Sequence, residues 1–301
     1  MSEYDQEEEI CYSRQDTIAA VTEFYEFLKK LYLNDSDVIY PPPGGWPSIT
    51  NADPTVLELL GKSDEVLALI AHLPYIRLYE GWDDGPEAMP DCHFADWHEM
   101  IGDLSNRVND PHPPSITTSV ESLRIRTEGS FHKLALPHVI GLTAGGDEDA
   151  PVIIIDTKLG VVLWEQYTMP SEFVDEYGAE GAPHDYPDPD EDMPEEEVDL
   201  RVDAGSWEIT TFLKILQRQF TKLRWIPTSH YTLRSENLDE NPGGKEDGMT
   251  ALLQSIYRQH GWPDDLDRYQ KDECLEAVNE ALQEHFPDSH YSSDYREEQA
   301  E

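Results

Sequence analysis

Basic residues are scarce in this chain: 21 Lys and Arg stand against 63 Asp and Glu, a formal charge of −42. Nucleic-acid binding works by replacing condensed counterions with Lys and Arg, so this balance argues against DNA and RNA as partners. Anionic membrane surfaces are disfavoured for the same reason. Cysteine is scarce too. Cys11, Cys92 and Cys274 lie far apart and include no CxxC pair, so a zinc ribbon, a thioredoxin-type redox pair and a disulfide framework are all unexpected. No apolar run approaches the roughly 20 residues of a membrane span. The first ten residues, MSEYDQEEEI, are acidic where a secretory signal is basic and then apolar. The expected location is cytoplasmic or nuclear.

Apolar residues make up only 38% of the chain, but they fall in periodic blocks, and 7 Trp, 15 Tyr and 8 Phe argue against global disorder. After an acidic leader expected to be disordered (residues 1–13), Ile18, Val21, Phe24, Tyr25, Leu28, Leu31 and Tyr32 recur at helical steps. The Pro41–Pro47 segment, PPPGGWP, is an extended loop and turn that Trp46 anchors. Asp53-Pro54 and Ser63-Asp64-Glu65 read as helix starts, with Gly61 as a stop between them. A further helix is expected from Asp91 to Arg107.

The periodicity then changes. Leu123, Ile125 and Thr127 alternate with charged neighbours and predict a half-buried strand, and Val139 to Leu142 another. Val152 to Ile155, the turn Asp156–Gly160 and Val161 to Trp164 form a hairpin. The fold class expected is α+β, with a mixed or antiparallel central sheet at about residues 120–167 packed by helices from both ends of the chain. The predicted division is an α+β domain over 14–227, a C-terminal helical extension over 228–286 and a disordered tail over 287–301. Within the domain, 171–204 is expected to be a flexible acidic insertion: Glu172 to Asp199 holds thirteen acids and no Lys or Arg. A long helix is expected from Ser206, and two more around Met249–Tyr257 and Leu275–Leu282.

No GxSxG elbow or Walker A loop is present, and GLTAGG at Gly141–Gly146 lacks the third glycine and following helix of a dinucleotide site. No cofactor is expected. His93 and His98 are five apart, which on a helix turns them about 140° from each other, whereas helical zinc pairs use i, i+4; no metal site is expected. Cys92 is surrounded by acids, which raise a thiol pKa and argue against a reactive cysteine. Asp156 closes a strand, as catalytic acids do in some α/β enzymes, and is equally the first residue of its turn.

Gly44-Gly45-Trp46-Pro47, the Leu59-Leu60-Gly61 to His72-Leu73-Pro74 segment, the Asp156–Gly160 hairpin and a long helix ending at Trp225 follow one another in an order that resembles the SMI1/KNR4, or SUKH, superfamily. The chain is also similar in character to proteins of filamentous fungi. The resemblance covers roughly Gly44 to Trp225 and implies a non-enzymatic module that binds proteins. The expected function is therefore protein binding or regulation. Trp46 and Trp82 and the acids Asp188, Asp190, Glu191, Asp192, Glu195, Glu196 and Glu197 are the candidate binding residues, and the expected partner is a protein with a basic surface. The alternative is a hydrolase with His98 as general base, supported by Asp96 and His93 beside the loop at Trp82.

Overall fold

Asp53 starts a helix with its own side chain: the carboxylate accepts the Thr55 amide at 2.8 Å, satisfying a donor that a helix N-terminus leaves open. The computed structural model describes residues 11–77, 85–90, 92–110, 114–145, 152–165, 193–236 and 243–292. Among them the chain is a mixed α+β protein of ten helices and several small antiparallel sheets. None of the described helices is long and apolar enough to cross a membrane.

Helix α1 (Arg14–Leu31) buries the expected stripe, including Val21, Phe24, Leu28 and Leu31. Strand β1 (Val38–Ile39) leads to the proline loop, where Trp46 is 7% exposed and donates its indole N–H to the Leu73 carbonyl at 2.8 Å. Helices α2 (Pro47–Thr50), α3 (Pro54–Leu60) and α4 (Asp64–Ile70) follow. Gly61 ends α3 at φ 64°, and Ser63 caps α4 through the Val66 amide. Strand β2 (Tyr75–Ile76) returns antiparallel to β1.

The helix expected over Asp91–Arg107 is shorter at its start. Cys92–Phe94 is strand β4, antiparallel to β3 (Glu87–Met89), and helix α5 runs over Trp97–Arg107. The strand expected at Leu123–Thr127 is helix α6 (Ile116–Glu128). Ser115 caps it by accepting the Thr118 amide at 3.3 Å. Val120, Leu123 and Thr127 share its buried face, while Ile125, the middle of the apparent alternation, is 41% exposed. Three alternating positions fit either period, and the cap favours the helix.

After a 3-10 turn (Gly129–Leu134) come β5 (Val139–Gly141), β6 (Thr143–Ala144), β7 (Val152–Asp156) and β8 (Val161–Glu165). Helix α7 covers Glu195–Asp203, so the insertion expected to be flexible over 171–204 ends in ordered structure. Ser206 lies in strand β9 (Gly205–Glu208), and the helix expected there begins at Ile209 as α8 (Ile209–Thr221). Strands β10 (Trp225–Pro227) and β11 (Leu233–Ser235) pair antiparallel, and α9 (Met249–Gln259) and α10 (Lys271–His285) complete the order. Within the expected tail, residues 289–292 are placed by a turn: Ser289 Oγ donates to Glu246 at 2.6 Å, and Ser292 Oγ donates to the Pro287 carbonyl.

The chain forms two compact units. The first comprises Met1–Thr22, Tyr40–Pro74 and Ala95–Leu213, the second Glu23–Ile39, Tyr75–Phe94 and Lys214–Glu301. The division expected from the sequence has its boundaries after residues 13, 227 and 286. In the first unit the antiparallel sheet runs β5-β7-β8-β9. It begins at Val139, later than expected, and gains β9 from beyond the acidic stretch. One face carries Val139, Val152, Ile154, Val161 and Leu163 beneath Phe131 and Ala204. Ile153 and Ile155 point the other way and are buried as well, which is why β7 reads as a continuous apolar run. Helix α6 approaches β5 so closely that a Cβ on Gly141 would fall 1.9 Å from the Thr127 carbonyl oxygen. In the second unit Phe24 and Tyr25 pack on Phe94, and Arg234 is buried against Glu246 at 2.6 Å.

Candidate functional site

The residues singled out by sequence go to different places. His93 sits on β4 in the second unit, its Nδ1 2.7 Å from the Gly85 carbonyl. Asp96, 2% exposed, is the N-cap of α5 and accepts the Glu99 amide at 3.1 Å. His98, in the first turn of α5, stacks on Trp46 with ring centroids 4.3 Å apart and planes 15° from parallel. Its Nδ1 lies 2.5 Å from Ser48 Oγ. Trp46 and His98 are thus brought together, with Ser48 as a third member that the sequence reading missed. The local spacing Trp46-Pro47-Ser48 gives no signal for it. Trp82, Asp188, Asp190, Glu191 and Asp192 lie outside the described residues.

Of the remaining acids, Glu195 and Glu196 are exposed on the first turn of α7, as is Asp199 one turn on. Glu197 turns inward. Its Oε1 accepts from Arg201 Nε at 2.9 Å and lies 2.8 Å from Nη2, and Arg201 Nη1 stands 2.7 Å from Asp156 Oδ2. Asp156 lies on the sheet face beneath α7 and also holds its own turn, Oδ1 accepting the Lys158 and Leu159 amides. Asp156 is therefore both a turn residue and an anchor for α7. His138 adjoins this cluster, with Nε2 3.7 Å from Asp156 Oδ2 and 3.3 Å from Arg201 Nη2. A second buried pair, Lys62 Nζ to Glu128 Oε1 at 2.6 Å, has side chains 1% and 0% exposed.

Concave surface occurs elsewhere. In the second unit a groove of about 880 Å³ runs between the C-terminal half of α1 and the segment leading into α10. Its floor is aromatic: Phe27 packs on Trp262 at 5.7 Å and Trp262 on Tyr269 at 5.1 Å. The two buried members are fixed by their polar ends. Trp262 Nε1 donates to the Phe220 carbonyl at 3.1 Å, and Tyr269 Oη donates to the Leu31 carbonyl at 2.7 Å. Leu266, at 60% exposed, stands at the edge. Glu23, Asp272 and Glu273 are exposed acids on the rim. Two lysines of the wall are engaged within the protein: Lys29 with Glu26 at 3.2 Å, and Lys271 with Asp35 at 2.8 Å and the Leu33 carbonyl at 2.7 Å.

Among the described residues no group of three or more His, Cys, Asp or Glu is placed to hold a metal ion. The groove sets an aromatic base below a rim that carries acids together with Lys29, Lys30 and Lys271, and it is assembled from segments far apart in sequence. No protein-family model, curated protein or solved structure matches the chain.

Proposed function

We propose that the chain is a non-catalytic protein-binding or regulatory module of the SMI1/KNR4-like kind, and that its partner presents a basic surface. The observation carrying this reading is how the fold distributes charge. Lys62, Arg201 and Arg234 are drawn from a small stock of cations, and all three are buried against acids. Lys29, Lys271 and Arg224 are committed to ion pairs with Glu26, Asp35 and Glu236. Among the described residues, most of the other acids are exposed or half-buried. Helix α7 is the compact instance: Arg201 points in, while Glu195, Glu196, Asp199 and the 66% exposed Val202 point out. A ridge already anchored by buried contacts has little ordering left to do on binding, and its field steers a basic partner toward it. A cytoplasmic or nuclear location suits this reading, since none of Cys11, Cys92 and Cys274 is joined in a disulfide.

The test is kinetic. Association of a purified partner, captured on the immobilised chain, is expected to slow by about tenfold or more on going from low to moderate salt. Reversal of Glu195, Glu196 and Asp199 to lysine should remove most of that dependence. A rate that salt leaves unchanged overturns the reading.

One observation favours a second reading, a hydrolase. The Ser48 hydroxyl sits against His98, and burial holds that imidazole below its ordinary range despite the nearby Glu99 carboxylate, so it is a neutral proton acceptor near neutral pH. Ser48 Oγ would attack an acyl carbonyl and pass its proton to His98; the bond to the leaving group would break as His98 returns that proton to it, and water would then hydrolyse the acyl-serine. The binding-module reading expects no covalent labelling of Ser48 by a fluorophosphonate. Labelling that Ser48→Ala abolishes would put the hydrolase first.

A further inference from the structure

We infer that the groove of the second unit is a docking site for a lysine side chain carried on a segment of a partner protein. The inference rests on the basic-partner reading and gives it a place and a chemistry. Its basis is the order of surfaces met from the bottom of the groove outward. Phe27, Trp262 and Tyr269 make an apolar floor, Leu266 extends it to the edge, and Glu23 and Glu273 stand at the lip. A lysine has the same order, an apolar four-carbon stem carrying a charged head. A purely apolar side chain would fill the floor and leave the lip acids without a counter-charge. An acidic segment would be repelled at the lip.

The groove's own lysines do not already fill this role. Lys271 is turned onto the Lys29 and Leu33 carbonyls and the Asp35 carboxylate, and Lys29 is paired with Glu26. Lys30 is exposed on the wall and Asp272 lies 4.0 Å from His230 Nε2, so the fit is set by Glu23 and Glu273 against Lys30. The floor is rigid, because Trp262 and Tyr269 are each held by a hydrogen bond to backbone. Helical segments supply much of the wall, so recognition runs through side chains rather than through addition of a strand.

The probe is a short fluorescent peptide with lysines in an alanine and serine background, titrated into the full chain. Its twin carries norleucine at each lysine, keeping the stem and removing the head. The lysine peptide is expected to bind at least about tenfold more tightly than the twin at low salt. Leu266→Ser and Glu273→Lys change exposed positions and leave the fold intact, and each should weaken the lysine peptide by about tenfold. Equal binding of the twin, or no binding of the lysine peptide, overturns the inference. Another result separates it from the reading beneath it. If the groove variants bind normally while reversal of Glu195 and Glu196 to lysine abolishes binding, the basic-partner reading stands and the groove is not its site. If salt and both sets of variants leave binding unchanged, both fall.

Discussion

Glu128→Ala is expected to lower the unfolding free energy by about 3–5 kcal/mol, among the largest single losses available in this fold. The carboxylate is fully buried between Lys62 Nζ at 2.6 Å and Arg124 Nε at 3.7 Å. Removing it leaves Lys62, whose side chain is 1% exposed, without its carboxylate partner and with the Leu136 carbonyl at 3.2 Å. Burial already pushes the Lys62 ammonium below its ordinary range, opposed by Glu128 and its hydrogen bond. Without Glu128 that depression deepens. The folded chain then binds this proton less tightly than the unfolded chain, so stability is lower at neutral pH and returns as pH rises toward the unfolded value near 10.5. The deficit in urea midpoint should therefore narrow as pH rises above neutral toward that unfolded value. Lys62→Met alone should cost less, because Glu128 keeps Arg124. The double variant Lys62→Met/Glu128→Leu should recover most of the loss, since a buried ion pair exchanged for apolar volume is often neutral. A single-variant cost below about 1 kcal/mol would mean that water reaches this pair.

Local signals carried the parts of the fold that local chemistry builds. Asp53-Pro54, Gly61 and Ser63 each mark a helix boundary by a hydrogen bond or a left-handed φ made within a few residues, and all were legible. The β7–β8 hairpin was legible because Asp156 organises its own turn and β-branched residues fill both strands. The short strands were not. Cys92–Phe94 and Gly205–Glu208 carry no periodic pattern, and each exists because a partner strand lies beside it. At Leu123–Thr127 the alternation was real in sequence but accidental in structure, and Ser115 was the available clue to the helix.

The candidate sites divide the same way. Arg201 could have been found, since it sits at i, i+4 from Glu197 at the end of an acid run and ion pairs at that spacing are common on helices. Its burial could not, because that depends on Asp156, 45 residues earlier. Lys62 and Glu128 give no local sign of each other. The groove joins residues 23–35 to residues 262–273, and Trp262 and Tyr269 look in sequence like core aromatics, which by burial they are.

Arg201→Met should destabilise the chain by about 3–5 kcal/mol at mildly alkaline pH and by less in acid. The substitution removes the guanidinium from the buried Asp156 and Glu197 carboxylates while keeping the side chain's length. His138 decides the pH dependence. In the native chain burial pushes its imidazole below the ordinary value of 6.5, with Asp156 and Glu197 drawing it up and Arg201 and Lys158 pressing it down. The folded state then binds fewer protons at this site than the unfolded state. Its contribution is whole above about pH 6.5 and is lost as pH falls. Without Arg201 the two carboxylates act on His138 against burial and Lys158 alone. The folded-state value then moves up toward the unfolded one, so less stability is lost as pH falls. The gap in urea midpoint between Arg201→Met and the native chain is thus expected to narrow from about pH 8 to pH 5.5. Arg201→Met/His138→Gln separates His138 from the two carboxylates as the cause. With no imidazole to charge, the gap should stay wide down to about pH 6 if His138 is responsible; narrowing to the same extent in the double variant would assign the effect to the carboxylates alone.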